Sequence, residues 1–394
     1  MFTLISWSEH NRRMNNIITR RTIPIANWIK SHFLAAHAFS SIHQMINRRT
    51  IVQLAVGMAL GAPSLTGFAQ QSITLRFHTF MSPMSNVWVS MNKVWMDKVQ
   101  RESDGHIRFE AYPAMQLDGA PVQLYDQARD GVADIVWTLT SYSPGRFPCS
   151  EVFDLPFMMT NAEATFKAFW EFIQTKASNE YKEVHPIAVQ IHGPGMFHTR
   201  DRLIEAPYDL RGLKMRGPTR QITKMLGYLG ANAVGMPLPQ MPDALQKGLL
   251  DGCVIPWDVV PSVKVHELTK FHSQFDPTSG ALYTTTFVTA TNKRKYESLP
   301  PDVRKVLDPN SGITASASLG RAHQCGDDPA RKLVEARGNV THNFGQVEAQ
   351  EFRRAASQVE VEWVKDMESR GFDGRDLLST ARALIEKHTK TTKT

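Results

Sequence analysis

The alternation of short strands with amphipathic helices after residue 72 limits the possible folds of this chain more than any other feature. "SITLRFHTF" (72–80) alternates apolar and polar residues, the period of a half-buried strand. "NVWVSMNKVWMDKVQRES" (86–103) sets Val87, Met91, Val94, Trp95 and Val99 on one helical face. Asp104-Gly105 turns the chain into "HIRFEAY", a second strand. "APVQLYDQARDG" predicts a helix ended by Gly131, and "ADIVWTL" (133–139) a third strand. A helix between two strands carries the chain back to the same end of the sheet. The β-α-β-α-β order therefore implies a parallel sheet with helices on its faces.

A second cycle follows. "NAEATFKAFWEFIQTKA" predicts a helix capped near Asn161, and "HPIAVQIHG" and "GLKMR" predict strands. A helix is expected from about Arg220 to Leu229, then strand "NAVGMP", helix "MPDALQKGLLDG" and strand end "CVIPW". "TTFVTATN" (285–292) reads as a returning strand, after which the chain is largely helical to Lys390. The 394 residues fit two α/β domains better than one, because single cores stop growing at roughly 250–300 residues. No low-complexity tether separates two halves, so the backbone is expected to cross between lobes more than once.

The net charge of +7 is not spread over the chain. Residues 1–69 hold seven basic residues and one acidic residue, Glu9, so the remainder is close to neutral. That body has no excess charge for a phosphate backbone, and no nucleic-acid partner is expected. "MINRRTIVQLAVGMALGAPSLTGFAQ" has a basic start at Arg48-Arg49, an apolar run from Ile51 to about Leu60, and small residues before Gln70. This is a secretory signal, with cleavage expected after Ala69. Met45 is the expected start, residues 1–44 being an upstream extension. Export is expected by the Sec route, with the twin arginine also allowing Tat. The apolar run is broken by Gly61 and Pro63 and is too short for a span of about 20 residues, so no membrane span is expected in the mature chain.

Motifs for catalysis are missing. There is no phosphate loop, no complete dinucleotide fingerprint and no G-x-S-x-G elbow. "HELTKFH" (266–272) spaces its histidines six apart, which separates them around a helix, so a solvated helix end is expected rather than a metal site. Cys149, Cys253 and Cys325 carry no metal-ligand spacing. Three small buried residues are expected, a Cys149–Cys253 bridge being the alternative. No catalytic residue, metal or cofactor is assigned.

"DLRGLKMRGPT" (209–219) ends a short strand on Arg216, directly before the Gly217-Pro218 break. A guanidinium there points out of the strand end, with two parallel donors in the spacing of a carboxylate. Together with "QRESDGHIRFEAYPAMQL", "YDQARDGVADIVW", "FDLPFM", "ALQKGLLDGCVIPW" and "VTATNKRKYESLPPDVRKVL", this stretch resembles the DctP-type substrate-binding proteins of tripartite ATP-independent periplasmic (TRAP) transporters. The resemblance covers nearly all of residues 72–390.

It implies a two-lobed α/β fold like that of periplasmic binding proteins, with a ligand cleft between lobes, crossing strands and a long bridging C-terminal helix. Lobe I is expected over 72–194 plus about 284–320, and lobe II with bridging helices over about 195–283 plus 321–390. It also implies a periplasmic receptor that delivers a small organic acid to small and large permease subunits in the membrane. A sensory ligand-binding subunit, or a secreted enzyme on a two-lobed fold, is the alternative. Arg216 matches the terminal arginine of the family's "G-[LM]-K-[LMI]-R" strand and is expected to hold the ligand carboxylate, while Arg211, Lys214 and Arg220 are read as surface charges. A second arginine common in relatives falls here near Met196. The loop around Met236 and the stretch Ile255-Pro256-Trp257 are apolar. These departures imply a monocarboxylate with an apolar or aromatic body. Phe80 and Trp257 are expected in the cleft. Trp137 and Phe157 fit a core equally well, and Tyr142 lies where family clefts lie. His198 fits either a ligand donor or a satisfied strand histidine. His78, Ser82 and Ser141 would serve a more polar acid.

Overall fold

The structure, a computed structural model, describes residues 72–392. The leader expected over 1–69 lies outside the described residues. In chain order the strands are β1 (Ile73–Thr79), β2 (Ile107–Tyr112), β3 (Ile135–Leu139), β4 (Val184–Ile191), β5 (Gly195–Thr199) and β6 (Lys214–Gly217). They continue with β7 (Asn232–Gly235), β8 (Gly252–Pro256), β9 (Phe271–Phe275), β10 (Thr286–Asn292) and β11 (Val340–Phe344). They form two sheets, ordered β2-β1-β3-β10-β4 and β11-β9-β5-β8-β6-β7.

β1 pairs in parallel with β2 and with β3, as the alternation requires. β10 returns antiparallel between β3 and β4. The first helix departs from the simple pattern. Val87–Asn92 winds as a π-helix before the α-helix Lys93–Glu102. Its i→i+5 bonds add residues to the turn and shift the phase of the buried face. Asn92 and Met96 are consequently buried, while Val94, expected inside, is 54% exposed.

The backbone leaves the first sheet at Ile191, joins the second at Gly195, and returns between Phe275 and Thr286. The two crossings run side by side. The Gly195 N–H donates to the Tyr283 carbonyl at 3.0 Å, and Thr284 Oγ1 donates to the His192 carbonyl at 2.8 Å. Glycine is required at 195, because a Cβ would stand 2.0 Å from the buried Tyr283 ring. Short paired crossings of this kind let two lobes move about one line while keeping their own cores.

After β10 the chain is helical apart from β11, an edge strand beside β9. The 24-residue helix Gln346–Ser369 buries Phe352, Val359, Trp363 and Met367. It also sets the Arg353 guanidinium 4.2 Å from the centre of the Phe157 ring. The last helix, Gly374–Thr392, packs on Ala162–Thr175, which covers the first sheet. No helix among the described residues is long and apolar enough to cross a membrane.

Two local expectations are corrected. "HELTKFH" is not a solvated helix end. It divides into a single helical turn, Val265–Leu268, and the start of β9, and both His266 and His272 are buried. The cysteines are free thiols, and Cys325 is exposed rather than buried.

Candidate ligand-binding site

β6 sets Arg216 between β7 and β8 of the second sheet, in register with Val234 of β7 and Cys253 of β8. Gly217 follows because nothing larger fits: a Cβ there would lie 2.7 Å from Thr223 Oγ1. The helix Arg220–Tyr228, capped by Thr219, can therefore start directly against the strand end. Arg216 is only 2% exposed. Its Nε donates to the Met236 carbonyl at 2.9 Å, and its Nη1 reaches the Val254 carbonyl at 3.4 Å. No carboxylate among the described residues pairs with it. A buried cation without a counter-ion costs several kcal/mol, so an arginine held this way is prepared for an anion. The two backbone carbonyls take one donor from each edge of the guanidinium, Nε and Nη1, and so fix its plane.

The opposite wall is aromatic. Antiparallel pairing sets Phe287 of β10 beside Leu139 of β3 and Gln190 of β4. Trp137, two residues before Leu139, shares that face. Trp137 stacks on Phe287 at 4.4 Å and 20°. Phe80 tilts against Trp137 at 5.5 Å and against Tyr142 at 5.6 Å. The Trp137 indole N–H donates to Gln190 Oε1, which fixes the ring. Both partners are buried, so the bond also satisfies two groups that would otherwise be unpaired.

Arg216 and this aromatic wall enclose one cavity of about 40 Å³. Phe80, Trp137, Tyr142 and Phe287 line it from the first sheet, and Arg216, Pro218, Leu238, Ile255 and Pro256 from the second. His192 and Thr285, on the two crossings, close its floor. Tyr142 joins the walls: its hydroxyl accepts the Leu238 N–H at 2.9 Å. Burial raises the Tyr142 phenol above its ordinary range, against the nearby Arg216 charge, so it remains a proton donor.

A wider mouth of about 860 Å³ opens beside the cavity, lined by Ser141, Glu151, Arg220, Met236 and Asp366. Here Arg220 Nη2 donates to Glu151 at 2.8 Å and to Asp366 at 3.1 Å. Gln221 Nε2 also donates to Glu151, at 2.9 Å. Arg220 is exposed, as expected of a surface charge, but it is paired rather than free in solvent. It ties the helix after β6 to the first lobe and to the long C-terminal helix.

The sequence-derived candidates divide. Phe80, Trp137, Tyr142 and Arg216 line one cavity. Met236 contributes its carbonyl to Arg216 and lines the mouth, where Ser141 also lies. His78 is fully buried, with Nδ1 2.6 Å from Gln127 Oε1, and does not line the cavity. Met196 and Trp257 also stand outside it. β8 lies between β5 and β6, so Ile255 of β8 lines the cavity with Arg216, and its partner Met196 on β5 is one strand further away. Trp257 begins a 3₁₀ turn after Pro256 and packs against His198 and His272, with each ring pair 5.5 Å apart. His198 is a satisfied strand histidine. Its Nδ1 meets His272 Nδ1 at 2.7 Å and its Nε2 donates to the Ile255 carbonyl at 3.2 Å. Sequence reasoning missed His192, Thr285 and Phe287. The period-two pattern of "TTFVTATN" places Thr285 and Phe287 on one face, but only the partner strands show that this face is the cleft.

A family model described as "Bacterial extracellular solute-binding protein, family 7", the DctP family, matches residues 78–366. The chain belongs to this family. It is a binding protein, not an enzyme, with the two-sheet architecture of TRAP solute-binding proteins. A TRAP solute-binding protein from Rhodoferax ferrireducens, solved with copurified benzoate, is 63% identical. That match covers 82% of this chain and 100% of the other, at a TM-score of 0.81. A marine metagenome TRAP protein specific for aromatic acids, solved with 3-hydroxybenzoate, is 46% identical; the match covers 81% of this chain and 99% of that one, at a TM-score of 0.79. The C4-dicarboxylate-binding periplasmic protein DctP of Rhodobacter capsulatus is 24% identical over 76% of this chain and 89% of its own length.

Proposed function

We propose that this protein is the periplasmic receptor for an aromatic monocarboxylate and hands it to a TRAP permease. The observation that carries the reading is Arg216, a buried guanidinium with no carboxylate partner among the described residues, facing an aromatic wall across a small cavity. The carboxylate takes the Arg216 Nη2 and the Tyr142 O–H, and the ring lies among Phe80, Trp137 and Phe287. Benzoate and 3-hydroxybenzoate in the two similar solved proteins support this class. Residues 72–194 with about 284–320, and about 195–283 with 321–390, act as the two lobes. A ligand touching both walls favours the closed state by its differential affinity for it. The leader exports the chain, and the permease subunits recognise the closed form.

Calorimetry of the exported protein with benzoate and with succinate tests the reading. Benzoate is expected to bind and succinate to bind poorly, since its second carboxylate would be buried unpaired. Arg216→Ala should lower benzoate affinity by about 100-fold or more, from loss of charge-assisted bonds worth about 1.5–3 kcal/mol each. Arg216→Lys should fall between, because the charge remains without the planar fork. Unchanged affinity in Arg216→Ala would mean that the carboxylate is held elsewhere.

A further inference from the structure

The floor of the cavity carries a polar group that the carboxylate-plus-ring reading leaves unused. Thr285 is fully buried and lines the cavity, and its Oγ1 has no hydrogen-bond partner. Its neighbours are all engaged. Thr284 donates to the His192 carbonyl, and Thr286 donates its N–H and hydroxyl to Asp154 Oδ1 at 2.9 and 3.1 Å. A buried hydroxyl left unpaired between two satisfied ones is unfavourable unless a ligand answers it.

Its position says which part of a ligand it meets. Thr285 and Phe287 share one face of the β10 segment, since side chains alternate along an extended chain. The pairs Thr286–Ile191 and Phe287–Gln190, continued by one step, put Thr285 opposite His192. Two residues earlier, Tyr283 packs against Gly195 of the second sheet; two residues later, Phe287 stacks on Trp137 of the first. Thr285 therefore stands midway between the lobe that holds Arg216 and the wall that holds the ring. A carboxylate on Arg216 and a ring on Phe287 bring the near edge of the ring past this hydroxyl.

We infer that Thr285 is a specificity-determining residue that hydrogen-bonds a hydroxyl on the carboxylate-side half of the ring, so that the site favours benzoates hydroxylated there, such as 3-hydroxybenzoate, over plain or para-hydroxylated ones. This rests on the aromatic-acid reading and sharpens it. A hydroxyl can donate and accept, so Thr285 pairs with a phenol in either sense. A site built to bond a hydroxyl rejects a ligand that lacks one more strongly than an apolar site rejects a ligand that has one.

The test is calorimetry of wild type, Thr285→Val and Thr285→Ser with benzoate, 3-hydroxybenzoate and 4-hydroxybenzoate. Valine keeps the shape and removes the hydroxyl; Thr285→Ala gives the same contrast if valine impairs folding. Thr285→Val should weaken 3-hydroxybenzoate by about 3- to 10-fold, the worth of one neutral hydrogen bond. That loss should exceed the losses for benzoate and for 4-hydroxybenzoate by about 3-fold or more, and Thr285→Ser should keep the preference. Equal losses for all three acids would place the hydroxyl on the carboxylate and overturn the inference while leaving the aromatic-acid reading intact. No loss for any acid would overturn it too. A wild type that binds none of the three would overturn both.

Discussion

Two tryptophans make the most instructive comparison in this molecule. Trp137 belongs to the first sheet and Trp257 follows the second. Both are fully buried, and both donate the indole N–H to a glutamine, Gln190 and Gln274 respectively. Their local chemistry is nearly the same. Yet Trp137 forms the cavity wall, while Trp257 is packed behind β8 between two histidines, with the Arg331 guanidinium 5.8 Å from its ring centre. Burial and a satisfied indole therefore do not identify a ligand-stacking ring. What distinguishes the two is which neighbours stand opposite: Phe80 and Phe287 with room between them, or His198 and His272 without it.

Truncation should separate the two most strongly. Trp137→Ala and Trp257→Ala should each cost about 3–5 kcal/mol of stability, measured by urea unfolding. Only Trp137→Ala should also lower benzoate affinity, by about 10-fold or more, because only that ring meets the ligand. Equal affinity losses in both variants would mean that Trp257 acts through the cleft after all.

Acid should expose the second difference. Trp257 sits beside His198 and His272, and burial pushes both below the ordinary histidine range, His272 down to about 4. These rings are neutral when folded and take up protons when unfolded. Stability is thus complete above about pH 6.5 and falls as pH drops from there toward about 4. Replacing His272 with Gln should reduce the fall in unfolding free energy between about pH 7.5 and about pH 5. An unchanged fall would assign the acid sensitivity to other groups.

The smallest effect concerns the mouth, where the two lobes touch through Arg220, Glu151 and Gln221. Opening the cleft would part these residues, so removing the bonds should shift the open–closed balance. Arg220→Ala should weaken benzoate by about 2- to 5-fold, since a half-exposed ion pair is worth about 1 kcal/mol or less. It should barely change unfolding stability. A loss as large as that of Arg216→Ala would make Arg220 part of the ligand site.

The sequence by itself determined the parallel start of the first sheet, the return of β10 and the position of Arg216. Each is written in local terms: a period of two or of 3.6, or a strand end against Gly217-Pro218 that has room for one guanidinium. It did not determine the phase of the first helix, because the π-helix at Val87–Asn92 follows from packing rather than from propensity. Nor did it determine the edge strand β11, the buried histidines of "HELTKFH", or the floor formed by His192 and Thr285. Those residues acquire their roles from strands far away in the chain: β11 from β9, His198 from His272, Thr285 from His192. A sequence pattern records which side of an element is apolar. It does not record which other element lies opposite, and the difference between Trp137 and Trp257 was decided only there.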